Sequence, residues 1–337
     1  MLNIMAIIIF IAIIIMNKYT KKQLLLMLVL SSIAMAISYK TKSFFFLKNL
    51  LIIFACKDLN FNKFVKVDFV VRFILYLSVI ILNQNGLIES HDVYRITSTN
   101  DVVERKSLGF SHPNFLGSIT FILCCEWLYI RKFKIDFITI VPLALGWYVI
   151  YGIANSRSAA LVFILLLAIY FALLQWKSIS TNKIFSKIMI FFPIICFGLS
   201  IIEYIMYLKN PDILIKLDDN LYARAYYIAQ YIDKYGWNLF GTKINKEDLN
   251  PLDNAYFYVI INYGILAEII FIYYFCKLFK SIYKDIIIKY DKSLCIITAI
   301  LISFLILGLS ESAWINVVMT PFLILFSNLF NNKTREQ

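Results

Sequence analysis

The sequence predicts an all-α, polytopic integral membrane protein with about 10–11 transmembrane helices and a large external loop that contains an amphipathic helix. Of its 337 residues, 61% are hydrophobic, and the mean hydropathy is +0.76. This apolar content exceeds what one soluble core could bury. The hydrophobic residues also occur in runs that suit a bilayer. We therefore interpret residues 1–337 as a single transmembrane domain.

Eleven apolar runs are candidate spans. The first follows the initiator Met without a basic region or a small-residue cleavage site, which predicts a retained helix. The third is the weakest, because Lys48 interrupts it. In chain order the runs are Leu2–Met16, Leu24–Ser38, Phe44–Cys56, Phe69–Leu82, Phe115–Ile130, Phe137–Ile153, Ala159–Gln175, Ile188–Tyr207, Ala255–Cys276, Leu294–Leu309 and Ile315–Phe330.

Six clusters of Lys and Arg predict the orientation of the chain, because short cytoplasmic loops are rich in these residues. With eleven spans all six clusters lie on one side, whereas omitting Phe44–Cys56 moves the first basic loop to the other side. We therefore expect an external N-terminus and a cytoplasmic C-terminus. The clusters are Lys18–Lys22, Lys57–Lys66, Arg131–Lys134, Lys177–Lys187, Lys277–Lys292 and Lys333–Arg335.

Charge and cysteine usage exclude several other classes of protein. The net charge of +12 is a topology signal that suits an anionic inner leaflet, and no basic soluble face indicates a nucleic-acid partner. All six cysteines lie in or beside apolar segments, and there are only two histidines. The sequence therefore predicts neither a disulfide framework nor a metal site.

Two large external loops are expected, at 83–114 and 207–253. The middle of the second predicts an amphipathic helix, with Asp218 or one of the next two residues at its N-terminal cap and Gly236 as a stop signal. Arg224 lies at the edge of its apolar face, where it either reaches a ligand or remains a solvated surface residue. That face consists of Leu221, Ala225, Ile228, Ile232 and Tyr235.

The first external loop enters the next span through His112, Pro113 and Asn114. Because Pro113 suits the first turn of a helix, His112 and Asn114 should lie where the span meets water. A helix N-terminus at this point could receive an anion. His112 is therefore either a catalytic base or a local helix cap.

Two short outer turns carry further charged residues. Arg157, beside Asn155, is the only formal charge between two apolar spans, so it either binds a ligand or extends to lipid phosphate. In the last outer turn, Glu311 could pair with an Arg or accept a proton. Trp314, which follows it, is an expected interfacial anchor.

Taken together, five short motifs resemble those of the Wzy-type polymerases of bacterial surface polysaccharide repeat units. These enzymes form a superfamily with the O-antigen ligases. The resemblance runs from about Arg105 to Asn316 and depends on the order of the motifs and their shared membrane face. The motifs are His-Pro-Asn-Phe-Leu-Gly at 112–117, Asn-Ser-Arg-Ser-Ala at 155–159, Leu-Phe-Gly at 239–241, Leu-Asp-Asn-Ala-Tyr at 252–256 and Asn-Tyr-Gly at 262–264.

This resemblance implies a glycosyltransferase without a cofactor, located in the bacterial cytoplasmic membrane with its large loop outside. It would join polyprenyl-diphosphate-linked oligosaccharides on the outer face of that membrane. No Asp-x-Asp nucleotide-sugar motif is visible, which favours a metal-independent reaction with a lipid-linked donor. Besides this substrate and membrane lipid, the implied partners are a chain-length regulator and a flippase.

The resemblance and the chemistry together suggest roles for individual residues. The departing diphosphate needs positive donors, for which Arg157 and Arg224 are candidates. The acceptor hydroxyl needs a base, and the candidates are His112, Asp253 and Glu311. Many relatives have His where this chain has Asn254. The other expected substrate-binding residues are Asn114, Asn155, Tyr222, Tyr226, Trp237, Asn254 and Tyr256.

Three alternatives stay open at the level of sequence. An O-antigen-ligase-like transferase would use the same donor with a different acceptor. A flippase or transporter of lipid-linked oligosaccharides should show repeat symmetry and broken helices. A structural or sensory membrane protein would not need Arg157 and Arg224 together.

Overall fold

The chain is mainly α-helical in a computed structural model that describes residues 2–96, 102–132, 134–245, 252–288, 290–312 and 315–330. It is 77% helical, in agreement with the predicted all-α class. Trp314 and the basic residues Lys289, Lys333 and Arg335 lie outside the described residues. The helices are α1 (Leu2–Met16), α2 (Lys21–Thr41), α3 (Phe45–Ala55), α4 (Phe61–Gln84), α5 (Pro113–Arg131), α6 (Phe137–Trp147), α7 (Arg157–Gln175), α8 (Lys177–Ser180), α9 (Lys183–Lys209), α10 (Pro211–Leu217), α11 (Asp219–Tyr235), α12 (Ala255–Tyr263), α13 (Ile265–Ile288) and α14 (Lys292–Leu307).

Four of these helices, α2, α5, α7 and α9, are long and apolar enough to cross a membrane. Shorter apolar helices occur at most of the other predicted spans. The helix starts have local causes, such as the capping box of Thr20 with Gln23 at α2 and the Asp136 cap of α6. This combination of length, apolar composition and helical content is that of a membrane protein.

Three regions differ from the predicted elements. The loop 83–114 contains a two-stranded antiparallel hairpin, β1 (Val93–Ile96) with β2 (Val102–Arg105). The predicted span Ala255–Cys276 is divided between α12 and α13 at Gly264, whose φ is 95°. Within the predicted span Ile315–Phe330, the chain forms a 3-10 helix over Pro321–Phe330.

The contacts of the chain divide it into two compact units. The first comprises residues 1–59, 183–284 and 304–337, and the second comprises 60–182 and 285–303. In the first unit, the apolar face of α11 is buried through Ile228 and Ile232 against Phe257 of α12 and its neighbours. The spacing of apolar residues in the sequence therefore corresponds to the buried face of this helix.

The second unit is organised around α5, which packs against α4, α6 and α7. Its core includes Tyr76 of α4 and Phe110, Leu116 and Leu123 from the entry and first turns of α5. Asp92 Oδ1 closes the base of the hairpin by accepting a hydrogen bond from Ser107 N at 2.7 Å, and Lys106 N next to it donates at 3.1 Å to the carbonyl oxygen of Ile153, which packs against this core. The start of α5 is therefore held by ordered polar structure.

Candidate functional site

His112 caps the N-terminus of α5 in the second unit. Its Nδ1 atom accepts a hydrogen bond from Asn114 N at 3.1 Å, and Pro113 occupies the first helical position. Burial lowers the pKa of His112, and the nearby Arg105 and Arg95 lower it further. The geometry is that of the local cap anticipated for this residue, and the low pKa favours the neutral ring that such a cap requires.

The cap restricts what neutral His112 can do chemically. Because Nδ1 accepts from Asn114, we infer that the ring proton is on Nε2. In that tautomer Nε2 donates a hydrogen bond and cannot accept a proton. His112 is thus better suited to contact an acceptor such as a phosphate oxygen than to act as a base.

Arg105 connects the start of α5 to the turn before α7. It is only 3% exposed, and its guanidinium donates from Nε to Ala154 O at 3.2 Å and from Nη2 to Asn114 Oδ1. The sequence does not predict this burial, because an Arg in a polar loop is usually solvated. The position of Arg105 at the start of the polar run into the span is the one signal in the sequence.

The N-terminal ends of α5 and α7 are adjacent. A Cβ atom at Gly117 would lie 2.6 Å from Ser156 Cβ, so only glycine permits this approach. Arg157 is the first residue of α7 and is exposed, whereas Asn155, with a φ of 45°, is half-buried in the turn before it. The structure thus brings Arg157, Asn155, Asn114 and His112 to the same end of this unit.

This end of the second unit is suited to an anion. Two helix N-termini each carry partial positive charge, and backbone N–H groups there favour phosphate oxygens. Arg105 and the exposed Arg157 add full positive charges. We refer to His112, Asn114, Asn155, Arg157 and Arg105 as the cationic cluster.

In the first unit, the charge of Arg224 acts on two carboxyl groups, those of Glu203 and Asp253. Burial raises the pKa of Asp253, and the charge of Arg224 opposes that rise. Arg224 also acts on Glu203, whose Oε1 atom is buried without a hydrogen bond from the described residues. We name Glu203, Arg224 and Asp253 the carboxyl–arginine cluster.

This cluster changes the interpretation of Arg224. Each carboxyl group offsets the charge of Arg224 when it is ionised, so this cluster is less suited to a polyanion than the cationic cluster is. A Glu in an apolar span is a signal of function. Glu203 lies near the end of α9, where a long side chain can also reach the interface, so its position in the sequence alone does not indicate a site.

Two expected groove residues are buried and already bonded within the first unit. Asn254 is 1% exposed and caps α12, because its Oδ1 accepts from Tyr256 N at 3.1 Å and Phe257 N at 3.2 Å. Its Nδ2 donates to Ser200 Oγ at 3.0 Å. Tyr256, also buried, donates from its hydroxyl to Leu305 O at 2.7 Å. Both residues hold the start of α12 in place here.

The remaining expected residues of the first unit have different surroundings. Trp237 is 46% exposed and packs on Tyr204, with ring centroids 6.3 Å apart. Tyr222 and Tyr226 stack on each other along α11. Glu311 is buried just after α14, where its backbone N–H donates to Leu307 O at 2.9 Å.

Two of the glycine motifs meet each other. A Cβ atom on Gly264 would lie 2.2 Å from Leu239 O and 2.5 Å from Gly241 N. The segment around Gly241 also accepts hydrogen bonds from the first turn of α13, because Ile265 N donates to Asn238 O at 3.0 Å and Leu266 N donates to Leu239 O at 3.2 Å. These contacts satisfy backbone groups that the break would otherwise leave open. The close backbone packing therefore explains why Gly241 and Gly264 are glycines.

Comparison of the chain with known protein families, curated proteins and solved structures gave no match. Its function must therefore be argued from the two clusters themselves.

Proposed function

We propose that the protein is a membrane glycosyltransferase that polymerises polyprenyl-diphosphate-linked oligosaccharide repeat units into a surface polysaccharide. The product would be a capsule, exopolysaccharide or O-antigen made on the outer face of the bacterial cytoplasmic membrane. The main supporting observation is that residues from two distant polar segments, 105–114 and 155–157, form one cationic cluster at the ends of two membrane-length helices.

The cationic cluster would hold the diphosphate of the lipid-linked donor. Arg157 is exposed and can bind phosphate oxygens bidentately, and Nε2 of His112 can donate another hydrogen bond. Arg105 would keep Asn114 and the turn at Ala154 in position. In this proposal the cluster stabilises the negative charge that develops as the diphosphate departs.

In the chemical step, the oxygen of an acceptor hydroxyl forms a bond to the anomeric carbon of the donor sugar. The bond from that carbon to the diphosphate oxygen breaks, and its electron pair leaves with the polyprenyl diphosphate. A base takes the hydroxyl proton. Asp253 is the best candidate for that base, because burial raises its pKa and a carboxylate of raised pKa accepts a proton more readily.

The test is turnover of a purified lipid-diphosphate-linked repeat unit by the purified protein, with products separated by size. We expect a ladder of longer chains from the wild type, and its loss in Arg157→Ala. Lys132→Ala is the matched control, because it removes a cation from the opposite end of α5 and should leave the ladder intact. A single transfer to another acceptor, without a ladder, would instead indicate a ligase.

A transporter of lipid-linked oligosaccharides is the second candidate, because the predicted span from Ala255 is broken at Gly264 and transporters use broken helices at their sites. Movement of a fluorescent lipid-linked unit between leaflets of proteoliposomes, without chain elongation, would favour it. Neither elongation nor movement, together with full function of Arg157→Ala in cells, would favour a structural protein. In the polymerase proposal a flippase and a chain-length regulator act beside the enzyme.

A further inference from the structure

The first unit contains a polar cavity that none of the roles above uses. Its volume is about 520 Å³, within the range of roughly 300–1,000 Å³ for small-molecule sites. It lies among the end of α2, helices α11 and α12, the segment after α11, and the turn that contains Ser312. Several segments that are distant in sequence therefore form one enclosure.

The described side chains that line this cavity carry no formal charge, yet many can form hydrogen bonds. A diphosphate would find no cation among them. A neutral ligand with many hydroxyl groups fits their chemistry, because hydroxyl and amide groups both donate and accept. The lining side chains that can form such hydrogen bonds are Thr41, Ser43, Tyr231, Thr242, Tyr258 and Asn262.

The local hydrogen bonds of Thr41, Ser43 and Asn262 leave these three side chains able to bind a ligand. Thr41 Oγ1 accepts from Ser43 N at 3.3 Å, and Ser43 Oγ accepts from Phe45 N at 3.4 Å, so each hydroxyl retains its own proton to donate. Asn262 Nδ2 donates to Tyr258 O at 2.9 Å, which leaves its amide oxygen as an acceptor. The backbone thus orients the polar groups without using all of their capacity.

Aromatic rings form another part of the lining. Tyr263 stacks on Phe45 with ring centroids 5.5 Å apart and planes 7° apart, and it meets the edge of Tyr258 at 6.0 Å. Sugar rings present an apolar C–H face and a rim of hydroxyls. A cavity with flat rings and neutral hydrogen-bonding groups complements both features.

Tyr231 links the cavity to the carboxyl–arginine cluster. Burial raises the pKa of Tyr231, and Tyr235, Tyr258 and Asp253 add to that rise. Leu252, the residue before Asp253, lines the cavity and belongs to the same buried cluster as Tyr231, which places the candidate base next to the lining.

We propose that this cavity is a sugar-binding subsite for the oligosaccharide part of the lipid-linked unit, with Asp253 at its edge beside the acceptor hydroxyl. The identity of the ligand rests on the proposed function. Binding of a neutral oligosaccharide by the cavity does not require that the protein polymerise it.

The experiment compares two probes on purified protein in lipid nanodiscs. One is the repeat-unit oligosaccharide released from its lipid by mild acid, and the other is polyprenyl diphosphate without sugar. The double variant Thr41→Val, Tyr258→Phe removes two hydroxyls of the lining while keeping side-chain size. Tyr227→Phe removes a hydroxyl from α11 outside the lining and is the matched control. Thermal unfolding of each variant shows that it is folded.

We expect the double variant to bind the oligosaccharide at least about tenfold more weakly, since each lost hydrogen bond weakens binding several-fold. Its affinity for polyprenyl diphosphate should be unchanged, and Tyr227→Phe should match the wild type. Unchanged oligosaccharide affinity in the folded double variant would overturn the proposal, as would no oligosaccharide binding by the wild type. Should the double variant not fold, Ser43→Ala replaces it, with a threefold or greater loss expected and no loss overturning the proposal.

These results separate the inference from the proposed function. If oligosaccharide binding depends on the cavity but lipid-linked units are not elongated, the sugar-binding site is supported and the polymerase proposal is contradicted. If the wild type elongates lipid-linked units and the cavity substitutions leave oligosaccharide affinity unchanged, the polymerase proposal is supported and the sugar-binding site is contradicted.

Discussion

At the scale of single residues, His112 makes stability depend on pH. Its folded-state pKa lies below the ordinary value of 6.5, so between these two values the unfolded chain binds more protons. The stability that the neutral cap contributes is therefore present above pH 6.5 and is lost as the pH falls through the folded pKa. We expect the thermal midpoint of the wild type to fall toward pH 5 relative to His112→Asn, a cap that does not titrate. Parallel curves for the two proteins would contradict this cause.

Arg105 and Arg157 should separate stability from activity. Arg105→Met leaves Ala154 O and Asn114 Oδ1 without their donors, which should lower the free energy of unfolding by about 1–3 kcal/mol for each acceptor that stays buried. Arg157→Ala removes an exposed side chain and should change stability by less than about 0.5 kcal/mol, while abolishing elongation. Denaturant unfolding and the elongation ladder measure the two effects. Equal losses of stability would refute the distinction.

The sequence could identify residues by chemical type and by position at a span boundary, but it could not give their partners. His112 and Arg157 belong to polar breaks between apolar runs, which are visible in one dimension. Asn254 bonds to Ser200, which is 54 residues away, so the sequence alone cannot show that its side chain is already bonded. Glu203 gains its interest from Arg224, on another helix, for the same reason.

At the scale of elements, the break at Gly264 is a test of why the motif glycines are present. Gly264→Ala would place a Cβ atom 2.2 Å from Leu239 O. The backbone of Gly264, with φ 95° and ψ 164°, also has a conformation that is essentially restricted to glycine. Gly236→Ala is the matched control, because its φ is also positive but nothing lies within 4 Å. We expect the control to cost about 1–2 kcal/mol and Gly264→Ala to cost clearly more. Similar unfolding midpoints for the two variants would show that the segment at Leu239 yields easily.

Periodic segments were the elements that sequence could predict. The structure has α11 where apolar spacing, a cap and Gly236 indicate a helix, because its face is buried at Ala225, Ile228 and Ile232 and half-buried at both ends. The division of α12 from α13 was missed, since hydropathy remains high across it and the cause is the docking of the Leu239–Gly241 segment. The hairpin was missed because its strands are only four residues long.

At the scale of the whole molecule, opposite charge patterns mark the two clusters. The second unit gathers arginine at two helix N-termini, which suits the diphosphate of a lipid-linked donor. In the first unit, the charge of Arg224 acts on two carboxyl groups, and the described side chains that line the cavity carry no formal charge, which suits sugar hydroxyls. The two-probe experiment measures whether the cavity of the first unit binds the sugar and not the diphosphate.

The orientation of the chain can be tested with single cysteines in a background from which the six native cysteines have been removed. Helix α5 has His112 at one end and Arg131 at the other, and its 19 residues extend about 28 Å, close to the thickness of a bilayer core. Eleven spans then put 83–114 and 207–253 outside and the basic loops inside. In right-side-out vesicles, a membrane-impermeant maleimide should label Glu89→Cys and Lys243→Cys, because both native side chains are exposed. Lys63→Cys and Lys284→Cys should react only after the membrane is opened. Labelling of Lys63→Cys from outside would contradict the predicted orientation of the chain, and the outer position of the cationic cluster would then have to be revised.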